Sequence, residues 1–189
     1  MTNLILGLCL FLGIHSISIV AEPLRDRFAA KSELAWKALY ALISLAGIFL
    51  IINGYSQARL TPTLMYATPY WLRHFSALLM LPVFILFLAP YFRGTISNIT
   101  KNPQLLAVIL WALSHLLVNG NLADILLFGS FLVWAVGDLI SMERRVSRPL
   151  PGLKKSSVND LIIVIAGLGL YGLFTVYLHG LLIGIPLLN

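Results

Sequence analysis

Six long apolar runs, parted by short segments that hold nearly all of the charge, govern what this chain can fold into. They cover residues 3–21, 36–54, 70–89, 104–118, 122–140 and 161–185. A helix rises about 1.5 Å per residue, so about 20 residues cross the roughly 30 Å hydrocarbon layer of a bilayer. No water reaches peptide groups inside that layer, which makes hydrogen-bonded helices the natural form of such runs. The fourth run is short for a crossing and the sixth is long. Asn119, Gly120 and Asn121 are the sole break between the fourth and fifth runs and predict a tight helical hairpin.

Composition excludes the soluble alternative. Hydrophobic residues make up 59% of the 189 and charged residues 11%, against about 45–50% and about 25% in soluble domains. A globule of this size has too little interior to hide that much apolar surface. The expected fold is therefore all-α: a single transmembrane domain, residues 1–189, forming a polytopic membrane bundle of six transmembrane helices in contact with the lipid bilayer.

The formal charge of +6 would raise the question of nucleic acid in a soluble protein. Here the bases sit in short loops between apolar runs, which is a topology signal, and no nucleic-acid partner is expected. With the amino terminus outside, Arg25, Arg27, Lys31 and Lys37 fall in the first cytoplasmic loop, and Arg93 and Lys101 in the second. Arg144, Arg145, Arg148, Lys154 and Lys155 fall in the third. Eleven of the thirteen basic residues then lie inside, leaving Arg59 and Arg73 outside, and both termini are predicted to be non-cytoplasmic.

The loops at 22–35, 55–69 and 141–160 are too short to bury a core. The last contains Pro149, Pro151 and Gly152 and reads as a solvated linker able to touch anionic lipid. The first run has no basic segment before it, so it is expected to remain as an uncleaved span. The lone cysteine, Cys9, sits in an apolar run and reads as a small hydrophobe.

Ionisable side chains are expensive inside a bilayer, so function is sought at His15, His74, His115, His179, Asp124 and Asp138. Gln104, Trp111, His115 and Asn119 are spaced by seven, four and four residues, which places them on one helical face. Gly172, Thr175 and His179 share a face by the same arithmetic, with small residues leaving room for a helix or a flat ligand. Tyr40, Ser44 and Gly47 form a packing face, and Pro82 frees the carbonyl of Leu78. Asp138 is placed to pair with Arg144 or Arg145, and Asp124 to serve a helix amino terminus.

Any one of these histidines is most simply a hydrogen-bonded side chain between helices. Four of them in four helices also suit a haem iron, because facing imidazoles in an apolar bundle are a standard way to hold one. Without a Cys-x-x-Cys-His sequence, such a haem would be of the b type. There is no phosphate-cradling glycine loop, nucleophile elbow or His-Glu-x-x-His.

Four segments carry a resemblance to a known family: GLCLFLGIHSI from Gly7, KALYALISLAG from Lys37, WLRHFSALLMLPVFIL from Trp71, and NPQLLAVILWALSHLLVNGNLADILLFGSFLVWAVGD from Asn102. In these the chain resembles the NnrU family of bacterial integral membrane proteins over five of its six helices. The resemblance implies a multi-pass protein of the bacterial inner membrane, associated with nitrite and nitric oxide reduction in denitrification. It also implies a membrane redox partner or reductase.

The family is in turn distantly similar to the plant 15-cis-zeta-carotene isomerases, membrane enzymes that hold haem b. That likeness implies two haem histidines. One stands in a His-Ser motif, matched by His15 and Ser16, and the other corresponds to His115, after Pro103, Gln104, Trp111 and Ala112. Asn102 stands where both families have histidine, and Ala112 where the isomerase has a cysteine, so ligand exchange at that cysteine is absent here.

Haem b is thus the expected cofactor, with His15 and His115 as candidate iron ligands offset by about 10 Å in depth. His74 and His179 are the substitutes, and Gln104, Trp111, Gly172 and Thr175 line the pocket. Redox or nitrogen-oxide metabolism is the leading reading, with a haem-dependent redox or isomerase-type activity as its enzymatic form. A small proton or nitrogen-oxide transporter or channel, and an accessory factor for a membrane reductase, stay open beside it.

Overall fold

In the computed structural model, residues 1–145 and 151–187 are described. Arg148 and Pro149 of the third basic loop lie outside the described residues. Regular structure among the described residues is helical, apart from isolated bridges at Leu64–Asn121 and Phe92–Leu153. Among the described residues four helices are long and apolar enough to cross a membrane: Thr2–Val20, Glu33–Ala58, Leu122–Met142 and the composite Ser157–Ile183. Leu72–Leu88 and Pro103–Leu116 are apolar but shorter, at 17 and 14 residues. The chain divides into two compact units, Met1–Pro69 with His115–Arg145 and Tyr70–Ser114 with Val146–Asn189.

The first unit is built on α1 (Thr2–Val20) and α3 (Glu33–Ala58), which touch backbone to backbone. A Cβ on Gly7 would stand 2.6 Å from the Ile51 amide nitrogen and 2.8 Å from the Gly47 carbonyl oxygen. One on Gly47 would stand 2.8 Å from the Phe11 nitrogen. Hydrocarbon offers no hydrophobic drive between helices, so this close approach, opened by three glycines with Gly54 against Leu4, is what lets van der Waals packing hold them. The opposite face of α3 shows Leu42, Leu45, Phe49 and Ile52 at 66, 64, 66 and 63% exposure. A stripe that apolar and that open requires lipid as its solvent.

Between those helices lies α2 (Glu22–Lys31), where the sequence reading had only a loop. Ala21, at φ −144, breaks the chain out of α1, and Pro23 opens the new helix. The Ser32 hydroxyl then accepts from the Ala35 amide at 3.2 Å and caps α3. That cap is why α3 starts three residues earlier than its apolar run.

In the same unit α7 (Leu122–Met142) begins at a capping box. Asp124 accepts from the Asn121 amide and side-chain nitrogen, both at 3.0 Å. The preceding turn is clasped by the chain after α3: the Met65 amide donates to Gly120 and the Leu122 amide to Thr63, both at 2.8 Å. Tyr66 adds its hydroxyl to the Leu116 and Asn119 carbonyls.

In the second unit α4 (Leu72–Leu88) continues through Pro82 and packs on α8 (Ser157–Leu173), where a Cβ on Gly167 would lie 2.6 Å from the Ile85 side chain. The buried hydroxyls of Ser76 and Ser114 face each other at 2.7 Å, joining α4 to α6 (Pro103–Leu116). Val83, Leu86 and Ala107 form the core, with Trp111 against it. The short α5 (Thr95–Thr100) receives the Asp160 carboxylate at the Thr95 and Ile96 amides, 2.7 and 3.0 Å away. After α8 come a π-helical stretch, Phe174–Leu178, and α9 (His179–Ile183). The π turn is wider than an α turn, so Gly172 and His179 do not keep the register of a continuous α-helix.

Charge is sorted along both units. In the first, contacts of His15 with Tyr40 and Trp134 put the end of α1, the start of α3 and the end of α7 at one end, together with Arg25, Arg27, Lys31, Arg144 and Arg145. Arg59 is at the other end of α3. In the second, Leu153 and Ser156 bond to the Tyr91 and Arg93 carbonyls, gathering Arg93, Lys154 and Lys155 at one end of α4, with Arg73 at the other.

Candidate functional site

The described residues that best combine titratable chemistry with enclosure lie around His15, on the last turns of α1. Its Nδ1 donates to the Phe11 carbonyl one turn back at 2.7 Å, which holds the ring and leaves Nε2 as the nitrogen with a lone pair. Phe11 stacks on the imidazole at 4.1 Å, Tyr40 of α3 tilts against it at 4.9 Å, and Trp134 of α7 meets it edge-on at 5.9 Å. The Trp134 Nε1 is buried and finds no acceptor among the described residues. Beside this cluster an open groove of about 580 Å³ runs between α1 and α7, lined by Leu12, Ser16, Gly129, Ser130 and Trp134 among others.

One turn beyond Trp134 on the same face of α7 lies Asp138, bonded to the Arg145 guanidinium and reached by the Ser141 hydroxyl at 3.3 Å. The pair is largely shielded, with 15 and 12% of its side chains exposed. This agrees with the pairing expected for Asp138 and singles out Arg145 over Arg144.

His115, near the end of α6, stacks on Phe128 of α7 at 4.4 Å. It belongs to the same unit as His15. Helix α7 serves as a ruler between them: Phe128 and Trp134 are six residues apart, about 9 Å along the axis. That offset matches the sequence-based one in size. It does not by itself keep both rings from one iron, because each imidazole stands 4.4 or 5.9 Å off its partner on α7.

The other two histidines belong to the second unit. His74 is exposed in the first turn of α4, 6.0 Å from the Tyr70 ring. His179 has a structural task, since its Nδ1 donates to the Ile185 carbonyl at 2.7 Å and closes the turn after α9, where Gly184 takes φ 76.

The polar stripe read along the fourth run is divided between the units. Gln104 reaches the Tyr91 hydroxyl at 3.3 Å, Trp111 joins the core beside Val83, and only His115 and Asn119 belong with His15. Thr175 bonds back to the Tyr171 carbonyl at 2.7 Å, and a Cβ on Gly172 would meet open space. Ala112, where the resemblance has cysteine, is fully buried. Sequence reasoning did not place Tyr40 and Trp134 beside His15. Tyr40 was read as packing surface, and its four-residue step from Trp36 offered no hint of an imidazole partner.

Apolar helices with outward aliphatic stripes, glycine-mediated contacts and charge confined to their ends define a polytopic α-helical membrane protein. Within that class the particular assignment comes from comparison with known families. The family model described as NnrU protein matches residues 3–187, and the chain belongs to the NnrU family. The match extends past the segments quoted above to include the last helix. No curated protein and no solved structure is detectably similar.

Proposed function

We propose that this protein is a six-span protein of the bacterial inner membrane, with both termini outside, that holds haem b at His15 and takes part in redox or nitrogen-oxide metabolism. The observation that carries the haem reading is the state of His15: Nδ1 committed to a backbone carbonyl, Nε2 open, and three aromatic rings for walls. A backbone carbonyl on one ring nitrogen is the usual partner of a histidine that ligates metal through the other. The orphaned Trp134 Nε1 beside it fits a site built for a further group. His115 is the second candidate ligand, in the same unit.

When bound, haem b supplies one-electron chemistry at its iron. The chain's own residues do the rest. Phe11, Tyr40 and Trp134 keep water from the imidazole, the Phe11 carbonyl fixes its tautomer, and the Asp138–Arg145 pair closes the basic end of the unit. The carrier reading has less to rest on, because Asp124 is tied into a helix cap and Asp138 into an ion pair. For the topology, the sorting of basic residues to one end of each unit supports the inside assignment. The 17- and 14-residue helices α4 and α6 are read as short crossings completed by their flanking segments.

The test is the visible spectrum of the detergent-purified protein, oxidised and reduced. A Soret band that His15→Ala abolishes and His74→Ala and His179→Ala leave intact is the expected result. Sharp low-spin bands lost with His115→Ala assign that residue as second ligand. No Soret band after expression with ample haem overturns the reading.

A further inference from the structure

Helix α2 poses a physical problem that the helices beside it do not. It has ten residues, Glu22–Lys31, and none of its side chains is buried. Isolated helices of fewer than about 12 residues are marginal in water, and most helical stability in proteins comes from packing an apolar face. Phe28, stacked on Trp36 at 6.4 Å, is its ring contact with α3, yet Phe28 remains 49% exposed.

The arrangement of side chains on α2 indicates what covers it. At about 100° per residue, Leu24 and Phe28 lie one turn apart on a single edge. Arg27 and Lys31, also one turn apart, form the adjoining edge. The acids Glu22 and Asp26 fall on the other side, with Asp26 bonded to Arg25 at 2.8 Å. Among the described residues neither Arg27 nor Lys31 is in an ion pair. Apolar residues also bracket the helix, with Val20 before it and Leu34 after it at 80 and 79% exposure. Both belong to helices long and apolar enough to cross the membrane, so α2 is joined at each end to a helix that presents an exposed apolar residue beside it.

We propose that α2 is an interfacial helix that lies in the headgroup region of the bilayer, with Leu24 and Phe28 turned to the acyl boundary and Arg27 and Lys31 on the phosphates of anionic phospholipids. Two exposed apolar side chains next to two bases, at the end of membrane-crossing helices, suit acyl chains and headgroup phosphates together. The two flanking spans hold α2 at that depth, so binding costs no recruitment from solution and acts instead to order the helix. The partner is the bilayer itself. Free phosphate would satisfy the bases and leave Leu24 and Phe28 in water.

The experiment uses the full chain reconstituted in vesicles of phosphatidylcholine alone and of phosphatidylcholine mixed with phosphatidylglycerol, with amide hydrogen exchange of α2 as readout. Slower exchange in the anionic vesicles, by about tenfold and reversed by high salt, is expected. The double variant Arg27→Gln/Lys31→Gln, whose side chains are in no ion pair among the described residues, exchanges in anionic vesicles as the parent does in neutral ones. Equal exchange of the parent in both vesicles overturns the proposal. So does protection by inorganic phosphate in neutral vesicles, and so does a double variant that keeps the lipid effect.

Discussion

The Tyr55 hydroxyl donates to the Asp124 carboxylate at 2.6 Å, tying the last turn of α3 to the first turn of α7 across 69 positions of sequence. Asp124 is 3% exposed and its other oxygen already serves the Asn121 amide and side chain, so one carboxylate closes a helix cap and joins two helices.

Tyr55→Phe removes the long-range bond and spares the cap, and is expected to destabilise the protein by about 1–2 kcal/mol, as for a hydrogen bond to a charged group moderated by a membrane setting. Asp124→Ala loses the capping box as well and costs about 1 kcal/mol more. Thermal unfolding in detergent of the two single variants and the double one measures the coupling. Strict additivity would show the bond to be idle.

Glycines separate into two groups that respond oppositely to a methyl. Gly47→Ala places a carbon 2.8 Å from the Phe11 backbone nitrogen, which no side-chain rotation relieves, and overpacking of that kind costs about 1–3 kcal/mol. Gly13→Ala, in the interior of α1 with nothing within 4 Å, should be neutral or stabilising by up to about 1 kcal/mol. Unfolding midpoints that fall equally for both would refute the backbone contact between α1 and α3.

The proposed topology is checked by thiol labelling in a Cys9→Ser background. Arg59→Cys should react with an impermeant maleimide in intact cells, and Arg27→Cys only after permeabilisation. A cysteine added after Asn189 should behave like Arg59→Cys, and one that is protected in intact cells would make the number of crossings odd.

Much of the fold was legible because membrane helices announce themselves locally. The apolar runs, the turn at Asn119–Asn121, the cap at Asp124 and the pairing of Asp138 depend on residues within a few turns of one another. The helix α2 was missed for a related reason. Its mean polarity reads as loop, and only the break at Ala21 and the cap at Ser32 turn this ten-residue stretch, half of it charged, into a helix. The site was less legible. His15 and His115 could be picked out as ionisable groups in apolar runs, and their common unit is a fact of the fold. That Gln104 and Trp111 belong to the other unit could not be read from a stripe on one helix, since helical spacing says which residues share a face and not what that face meets.

Hydrophobicity and charge add residue by residue, so the sequence by itself determined that the chain enters a membrane as helices and to which ends its bases go. Which ring lies against which imidazole, and which glycines let backbones touch, depends on pairings between helices tens of residues apart. Those pairings are set by close packing, a property that no single segment possesses, and only the tertiary structure decided them.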